Sequence, residues 1–171
     1  LLSEIGLATE IASYLVGSGG KRIRPYLTIL TGKALGYKKR KLITLACVIE
    51  LLHTASLIHD DIVDKSDLRR GNLSVNAKWD NAHGVLVGDF VYSKAFQLMA
   101  SLENNHAIKT LADSTNRISE GEVLQLILRG QANCSEKDYF EIIGRKTAEL
   151  FKASSLSAAI IAETSKELRQ S

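Results

Sequence analysis

Between His53 and Gly71 the chain reads HTASLIHDDIVDKSDLRRG, and no other stretch carries as strong a chemical signal. Asp60, Asp61 and Asp64 stand at the end of an apolar run, and Arg69 and Arg70 follow after a few polar residues. Carboxylates four residues apart share one face of a helix. Asp60 and Asp64 can therefore reach the same ions, while Asp61 points about 100° away. Hard cations suit such donors. Mg²⁺ takes oxygen ligands at about 2.0–2.1 Å and is commonly held by one or two carboxylates together with substrate phosphates. The neighbouring arginines fit the same polyanion, because guanidinium groups pair well with phosphate. A solvated acidic helix end would explain a lone pair of aspartates. It does not explain the apolar helix before them and the two arginines after them.

Gly19-Gly20-Lys21-Arg22-Ile23-Arg24-Pro25 forms a second constellation. Glycines let backbone amides approach an anion closely, and Lys21 and Arg24 bring charge to it. The order of a Walker loop is absent, and a basic helix start after glycines is also ordinary surface charge. His53 precedes Asp60 by two helical turns, so both can face one cleft; the alternative is a satisfied core histidine. His59-Asp60 is also the pair used by metal-dependent phosphohydrolases, but those need further histidine ligands, and His53, His83 and His106 form no such pattern. Arg145-Lys146-Thr147 lies among Ile142, Ile143, Leu150 and Phe151. There a lysine and a hydroxyl can meet phosphate, or the lysine can simply snorkel to water. Lys38 to Lys41 reads as a solvated turn.

The elements that must position these groups are helices. One proline in 171 residues and little β-branched alternation point to helices. Ile5 to Val16 reads as a helix stopped by glycines, and Pro25 suits the first turn of a second helix reaching about Gly36. Lys41 to Asp64 follows the i, i+3, i+4, i+7 rule through Leu42, Leu45, Ala46, Ile49 and Leu52, as a central buried helix does. Lys65 to Lys78 reads as a loop. Helices resume near Gly84 to Leu102, Ala107 to Arg129 and Ser135 to Ala162, the last opening on a capping box of Ser135 and Asp138. No repeat, low-complexity tract or linker is visible, so the reading is one all-α domain over residues 1–171.

Composition excludes little else. Hydrophobic residues make up 45% and charged residues 24%, as in ordinary globular proteins. A net charge of +3 does not suggest a nucleic-acid binder. Cys47 falls in an apolar helical run and is expected to be buried; with Cys134 it forms neither a disulfide framework nor a zinc site. No apolar run is expected to reach the roughly 18 residues of a bilayer span, and no cleavable signal is evident. The expectation is a soluble protein of a reducing compartment, the cytoplasm, or an organellar matrix or stroma if a targeting segment has been removed.

Taken together, the motifs resemble the trans-polyprenyl diphosphate synthases, head-to-tail prenyltransferases. GGKRIRP (19–25), LLHTASLIHDDIVD (51–64), RRG (69–71), Gly88-Asp89, EGEVLQ (120–125) and KTAELF (146–151) occur in that family's order. The resemblance implies the isoprenoid synthase fold, a bundle of long antiparallel helices around a deep cavity, usually paired as a homodimer. It implies condensation of isopentenyl diphosphate with an allylic prenyl diphosphate to give a long-chain all-trans product. Lys21, Arg24, His53 and Arg70 would hold isopentenyl diphosphate. Asp60 and Asp64 would bind Mg²⁺ bridged to the allylic diphosphate, Asp61 would support that site, and Arg69, Lys146 and Thr147 would complete it. Members with short products carry aromatics where Ala55 and Ser56 stand, so small residues imply a tunnel continuing past Leu52. Product release would bring the protein near a membrane without spanning it.

The family's second aspartate-rich motif has no counterpart after Lys146; Glu163 and Glu167 do not reproduce it. The chain thus resembles the front half of a synthase. A non-catalytic partner subunit of a heteromeric synthase is the competing expectation.

Overall fold

The computed structural model describes residues 1–131 and 133–165; Glu167 lies outside them. Eight α-helices, one π-helical turn and a two-stranded hairpin follow in chain order among the described residues. They form two compact units: Leu1–Ile23 with Cys47–Ser101, and Arg24–Ala46 with the described residues from Leu102 onward.

The first unit contains α1 (Gly6–Gly17), most of α3 (Lys41–Val63), β1 (Leu68–Arg69), β2 (Asn72–Leu73), α4 (Val75–Lys78) and α5 (Asn81–Ala100). α3 ends on the aspartates and buries Val48, Ile49, Leu52, Ala55 and Ile58. Its apolar character exceeds the sequence expectation. Short polar residues interrupt any apolar run, yet α3 as a whole is long and apolar enough to cross a membrane by length and composition. Half of that window is buried within the protein. The segment read as a loop, 65–78, also holds structure. β1 and β2 pair antiparallel, Leu68 opposite Leu73 and Arg69 opposite Asn72. Ser74 then caps α4 by accepting from the Ala77 amide at 3.4 Å. Short-range pairing of this kind has no hydrophobic period to announce it.

Gly84 and Gly88 bring α5 close to α3. A Cβ at Gly84 would lie 2.7 Å from Ile62 Cδ1, and one at Gly88 would overlap the His59 ring. His59 also stacks on Tyr92, with ring centroids 5.8 Å apart, so α5 occupies it.

The second unit contains nearly all of α2 (Ile23–Ala34), the first turns of α3, α6 (Asn105–Leu128), α7 (Glu136–Ile143), the π-turn Gly144–Ala148 and α8 (Glu149–Ile161). Asn104 caps α6 by accepting from the Ala107 amide at 3.0 Å. The Ser135–Asp138 capping box forms as its residue types suggest. The helix expected over 135–162 is continuous except that its middle widens into the π-turn. Buried Glu149 explains how α6 and α8 hold register. It accepts from the Ser114 hydroxyl at 3.1 Å and pairs with Arg117 Nε at 3.3 Å.

Candidate functional site

The three aspartates do not share one environment. Asp61 is 3% exposed, Asp60 is half-buried and Asp64 is exposed. Both oxygens of Asp61 accept from Arg69 Nε, at 3.0 and 3.1 Å, and Arg69 Nη2 donates to it as well. That hydrogen bonding holds the Arg69 guanidinium above its ordinary pKa. Partial burial opposes the rise, and the charges of Asp61, Asp60 and Asp64 add to it. The motif resemblance expects Arg69 beside a diphosphate, and in the structure its guanidinium is oriented by Asp61. The reason is geometric: β1 lays its guanidinium along the side of α3 that Asp61 occupies.

Arg70 and Gly71 form the hairpin turn, with φ of 54° and 81°. Two consecutive positive-φ residues match the right-handed twist of a tight hairpin. Arg70 has no glycine-like freedom there, and a left-handed non-glycine residue costs about 1 kcal/mol or more. Its side chain supplies an anchor: Nη1 donates to the Gly19 carbonyl, and the guanidinium covers Gly20, where a Cβ would overlap it. Gly19 and Gly20 have φ of 81° and 133°, so the segment before Lys21 takes a path that glycine favours. Lys21 is exposed beside them, and Arg22 is held by Glu50 and by the Val16 carbonyl at 2.7 Å. The first unit thus gathers Arg70 against the Gly19–Lys21 segment, and Asp61 with Arg69, near the end of α3. His53, half-buried, lies on the Asp60 face of α3.

Among the described residues, no group of three or more carboxylates, histidines or cysteines is close enough to cage a metal. Asp60 and Asp64 offer two hard oxygen donors instead, the number Mg²⁺ takes from protein when phosphate supplies the rest.

In the second unit, Lys146 and Thr147 sit in the π-turn, a geometry often found at functional sites. Lys146 Nζ pairs with Glu122 at 2.6 Å, and Arg145 pairs with Glu120 and with Glu141 at 2.5 Å. Gly121 lies between the two glutamates and permits this approach; a Cβ there would sit 2.7 Å from Arg145 Cβ and 3.0 Å from the Lys146 amide nitrogen. The EGEVLQ motif therefore explains itself physically: its glutamates hold the two cations and its glycine makes room for them. In the sequence these residues carry no evident role, and only their spacing around a glycine hints at one. Thr147 is exposed, and Arg24, in the same unit, places its guanidinium 4.3 Å from the Phe151 ring centre.

The profile of the family described as Polyprenyl synthetase matches residues 6–171. The chain belongs to the polyprenyl synthetase family. It is 46% identical to the octaprenyl diphosphate synthase of Haemophilus influenzae over 162 residues, which cover 95% of this chain and 49% of that protein. The Escherichia coli octaprenyl diphosphate synthase is 44% identical over 162 residues, 95% of this chain and 50% of its own length. A polyprenyl synthase of Caulobacter crescentus, crystallised with calcium and isoprenyl diphosphate, superposes with a TM-score of 0.96 at 40% identity, over 99% of this chain and 52% of that one. A decaprenyl diphosphate synthase of Rhodobacter capsulatus gives a TM-score of 0.96 at 39% identity, again over 99% and 52%. The fold is the all-α isoprenoid synthase fold. The chain spans about half the length of the curated relatives it matches.

Two further expectations for this polyprenyl synthetase chain meet the structure at α3. Cys47, expected to be buried, is exposed. It lines an apolar cavity of about 940 Å³ in the first unit together with Ala12, Val16, Leu51, Thr54 and Leu98. An apolar neighbourhood in sequence does not say whether a face is packed or left open. Neither Ala55 nor Ser56 lines that cavity. Ala55 is wholly buried, whereas Ser56 is half-buried, four residues before Asp60 and on its face.

Proposed function

We propose that the whole protein is a prenyltransferase that condenses isopentenyl diphosphate with an allylic prenyl diphosphate into a long-chain all-trans polyprenyl diphosphate. The observation that carries this reading is the pairing at the end of α3. Asp60 and Asp64 lie on one face for a divalent cation, while Arg70 borders the glycine segment that presents Lys21. Relatives of matching sequence are named octaprenyl diphosphate synthases.

Mg²⁺ bound by Asp60 and Asp64 would neutralise charge gathering on the departing allylic diphosphate. In the first unit, Lys21, Arg70 and His53 donate to the diphosphate of isopentenyl diphosphate. In the second, Lys146 and Thr147 offer an ammonium and a hydroxyl to diphosphate, and Arg24 offers a guanidinium. Such fixed donors stabilise the transition state without having to reorganise. The allylic C–O bond breaks, the isopentenyl double bond forms the new C–C bond, and a proton leaves the isopentenyl unit. The product is one isoprene unit longer. No side-chain nucleophile is required.

Two partner readings accompany this one. Val123, Leu126 and Ile127 are exposed on one stripe of α6, and a second copy of the protein would cover them in a homodimer. Exposed free thiols at Cys47 and Cys134 suit a reducing compartment, cytoplasmic or an organelle's matrix. Product release would occur beside a membrane.

Turnover of labelled isopentenyl diphosphate with an allylic primer and Mg²⁺, by the full-length protein that contains this segment, tests the reading. Extraction of a labelled polyprenol after dephosphorylation is the expected result. No turnover in the full-length protein, with restored turnover only when another synthase is added, would replace it with the partner-subunit reading.

A further inference from the structure

We propose that the turn between α2 and α3 docks the protein on an anionic bilayer surface, with Lys38, Lys39 and Arg40 meeting lipid headgroups and Ile43 entering the interface beside them. The inference deepens the proposed function and rests on it only for what is delivered there, a polyprenyl product; the docking itself is carried by the turn.

Lys33, Lys38, Lys39, Arg40 and Lys41 crowd this turn within nine residues. Two of these cations have structural explanations. Lys33 lies in the last turn of α2, where the helix dipole favours positive charge. Lys41 donates to the Leu102 carbonyl at 2.8 Å and pairs with Glu103 at 3.1 Å. Lys38, Lys39 and Arg40 have neither explanation. All three are exposed, and no carboxylate pairs with them among the described residues. They precede the first turn of α3, which holds no acidic residue and carries the positive end of the helix dipole. Three adjacent cations at that end oppose helix stability, so local folding does not account for them. An anionic surface relieves both their mutual repulsion and that of the dipole.

The turn presents these charges as a fixed patch. Gly36, at φ 76°, closes α2 as the Gly36 and Tyr37 amides donate to the Lys33 and Gly32 carbonyls at 3.0 and 2.9 Å. The Leu42 and Ile43 amides donate to the Lys39 and Arg40 carbonyls at 3.1 and 3.0 Å. Gly32 lets the two helices meet closely, since a Cβ there would overlap Leu42. Apolar groups border the charge. Ile43 is 60% exposed, and Tyr37 is half-buried with its ring centre 5.9 Å from Lys39 Nζ. Basic side chains beside an exposed aliphatic group and a tyrosine match the boundary between headgroups and acyl chains, where charge meets phosphate and apolar atoms leave water. A nucleic-acid backbone would use the cations but gives Ile43 nothing to enter.

The experiment is sedimentation of the full-length protein that contains this segment with vesicles of phosphatidylcholine, alone or with about one-third phosphatidylglycerol. Binding is expected to the mixed vesicles only. It should weaken about tenfold or more between about 0.1 M and about 1 M salt, as the screening length falls from about 10 to about 3 Å. Each basic residue near such a surface is worth about fivefold in partition, so replacing Lys38, Lys39 and Arg40 together by serine should lower binding about a hundredfold. Replacing Lys109, Lys137 and Lys152 instead, exposed residues of the same unit, removes the same charge and should lower it less than about threefold. Ile43→Ser should cost about fivefold at either salt concentration, the signature of an apolar contact. Should the triple variant fail to fold, Lys39→Glu must lower binding about tenfold or more. Equal binding to both kinds of vesicle, equal losses in the two triple variants, or binding indifferent to Ile43→Ser overturns the proposal. Tighter binding of a single-stranded RNA, unaffected by Ile43→Ser, would overturn it in favour of a nucleic acid. Turnover of labelled isopentenyl diphosphate without vesicles should be unchanged in the triple variant, and its loss would place the turn in the reaction instead of on a membrane. No turnover even in the wild type would remove the prenyltransferase reading, while the vesicle result would still decide the docking.

Discussion

At the acidic end of α3, one carboxylate is buried under an arginine while Asp60 is half-buried and Asp64 exposed. In the π-turn of the second unit, by contrast, each of the adjacent cations has a carboxylate opposite it, Arg145 with Glu120 and Lys146 with Glu122. The first arrangement divides labour within a motif of like charges. Asp61 is spent on architecture, and the pair four residues apart keeps its common face. In the second, an anion arriving at Lys146 competes with Glu122. Its binding there exchanges one partner for another, so the net gain is smaller than for a charge with no competitor. Motifs that look equally charged in sequence thus differ in how much binding energy they can release.

The largest expected effect tests the acidic side. Asp60→Ala in the full-length protein should lower turnover by more than about a hundredfold, since metal stabilisation of a developing anion is worth several kcal/mol. A rate within a few-fold of wild type would break the division between anchor and ligand. Next comes stability. Asp61→Ala should cost about 2 kcal/mol in urea unfolding, less than the full penalty of a buried pair because Arg69 is a third exposed. Exposed Asp64→Ala should cost under about 0.5 kcal/mol. Equal losses would mean that burial does not separate the two residues.

On the basic side, Gly121→Ala should destabilise the protein by about 1–2 kcal/mol, because the added methyl meets Arg145 and the Lys146 backbone. It should also raise the Michaelis constant for the allylic substrate more than that for isopentenyl diphosphate. A neutral alanine would show that the π-turn can shift without consequence. The small residues before the aspartates sharpen the comparison further. Ser56→Phe, on the Asp60 face, should shorten the product as read by chromatography. Ala55→Phe, at a wholly buried position, should chiefly destabilise the fold. The reverse outcome would move the cavity floor to the other face of α3.

The smallest effect is pH-dependent. The Ser135 hydroxyl, followed by the Ser135 amide, holds the Asp138 carboxyl below its ordinary pKa. A depressed folded pKa means that the capping box contributes fully above the ordinary carboxylate pKa and is lost as pH falls through the folded value. Circular dichroism of an acid titration should therefore show a small loss of helix at the low-pH end, and Ser135→Ala should flatten it.

The sequence by itself determined what depends on neighbours along the chain: the helices, their caps, the glycine stop after α1, and the face shared by Asp60 and Asp64. These follow from helical period and local hydrogen bonding, which act over a few residues. Family membership was legible too, because the motifs keep their residue types and order. Tertiary structure alone decided which aspartate became an anchor, that Arg70 would lie on Gly19 and Gly20, and that Gly121 would admit Lys146 beside Glu122. It also decided that Cys47 would border a cavity rather than pack into the core. Each of those outcomes joins residues distant in sequence, where the partner is set by which helix faces approach and how closely. Charge and hydrophobicity announce that a side chain needs a partner; only packing selects the partner it receives.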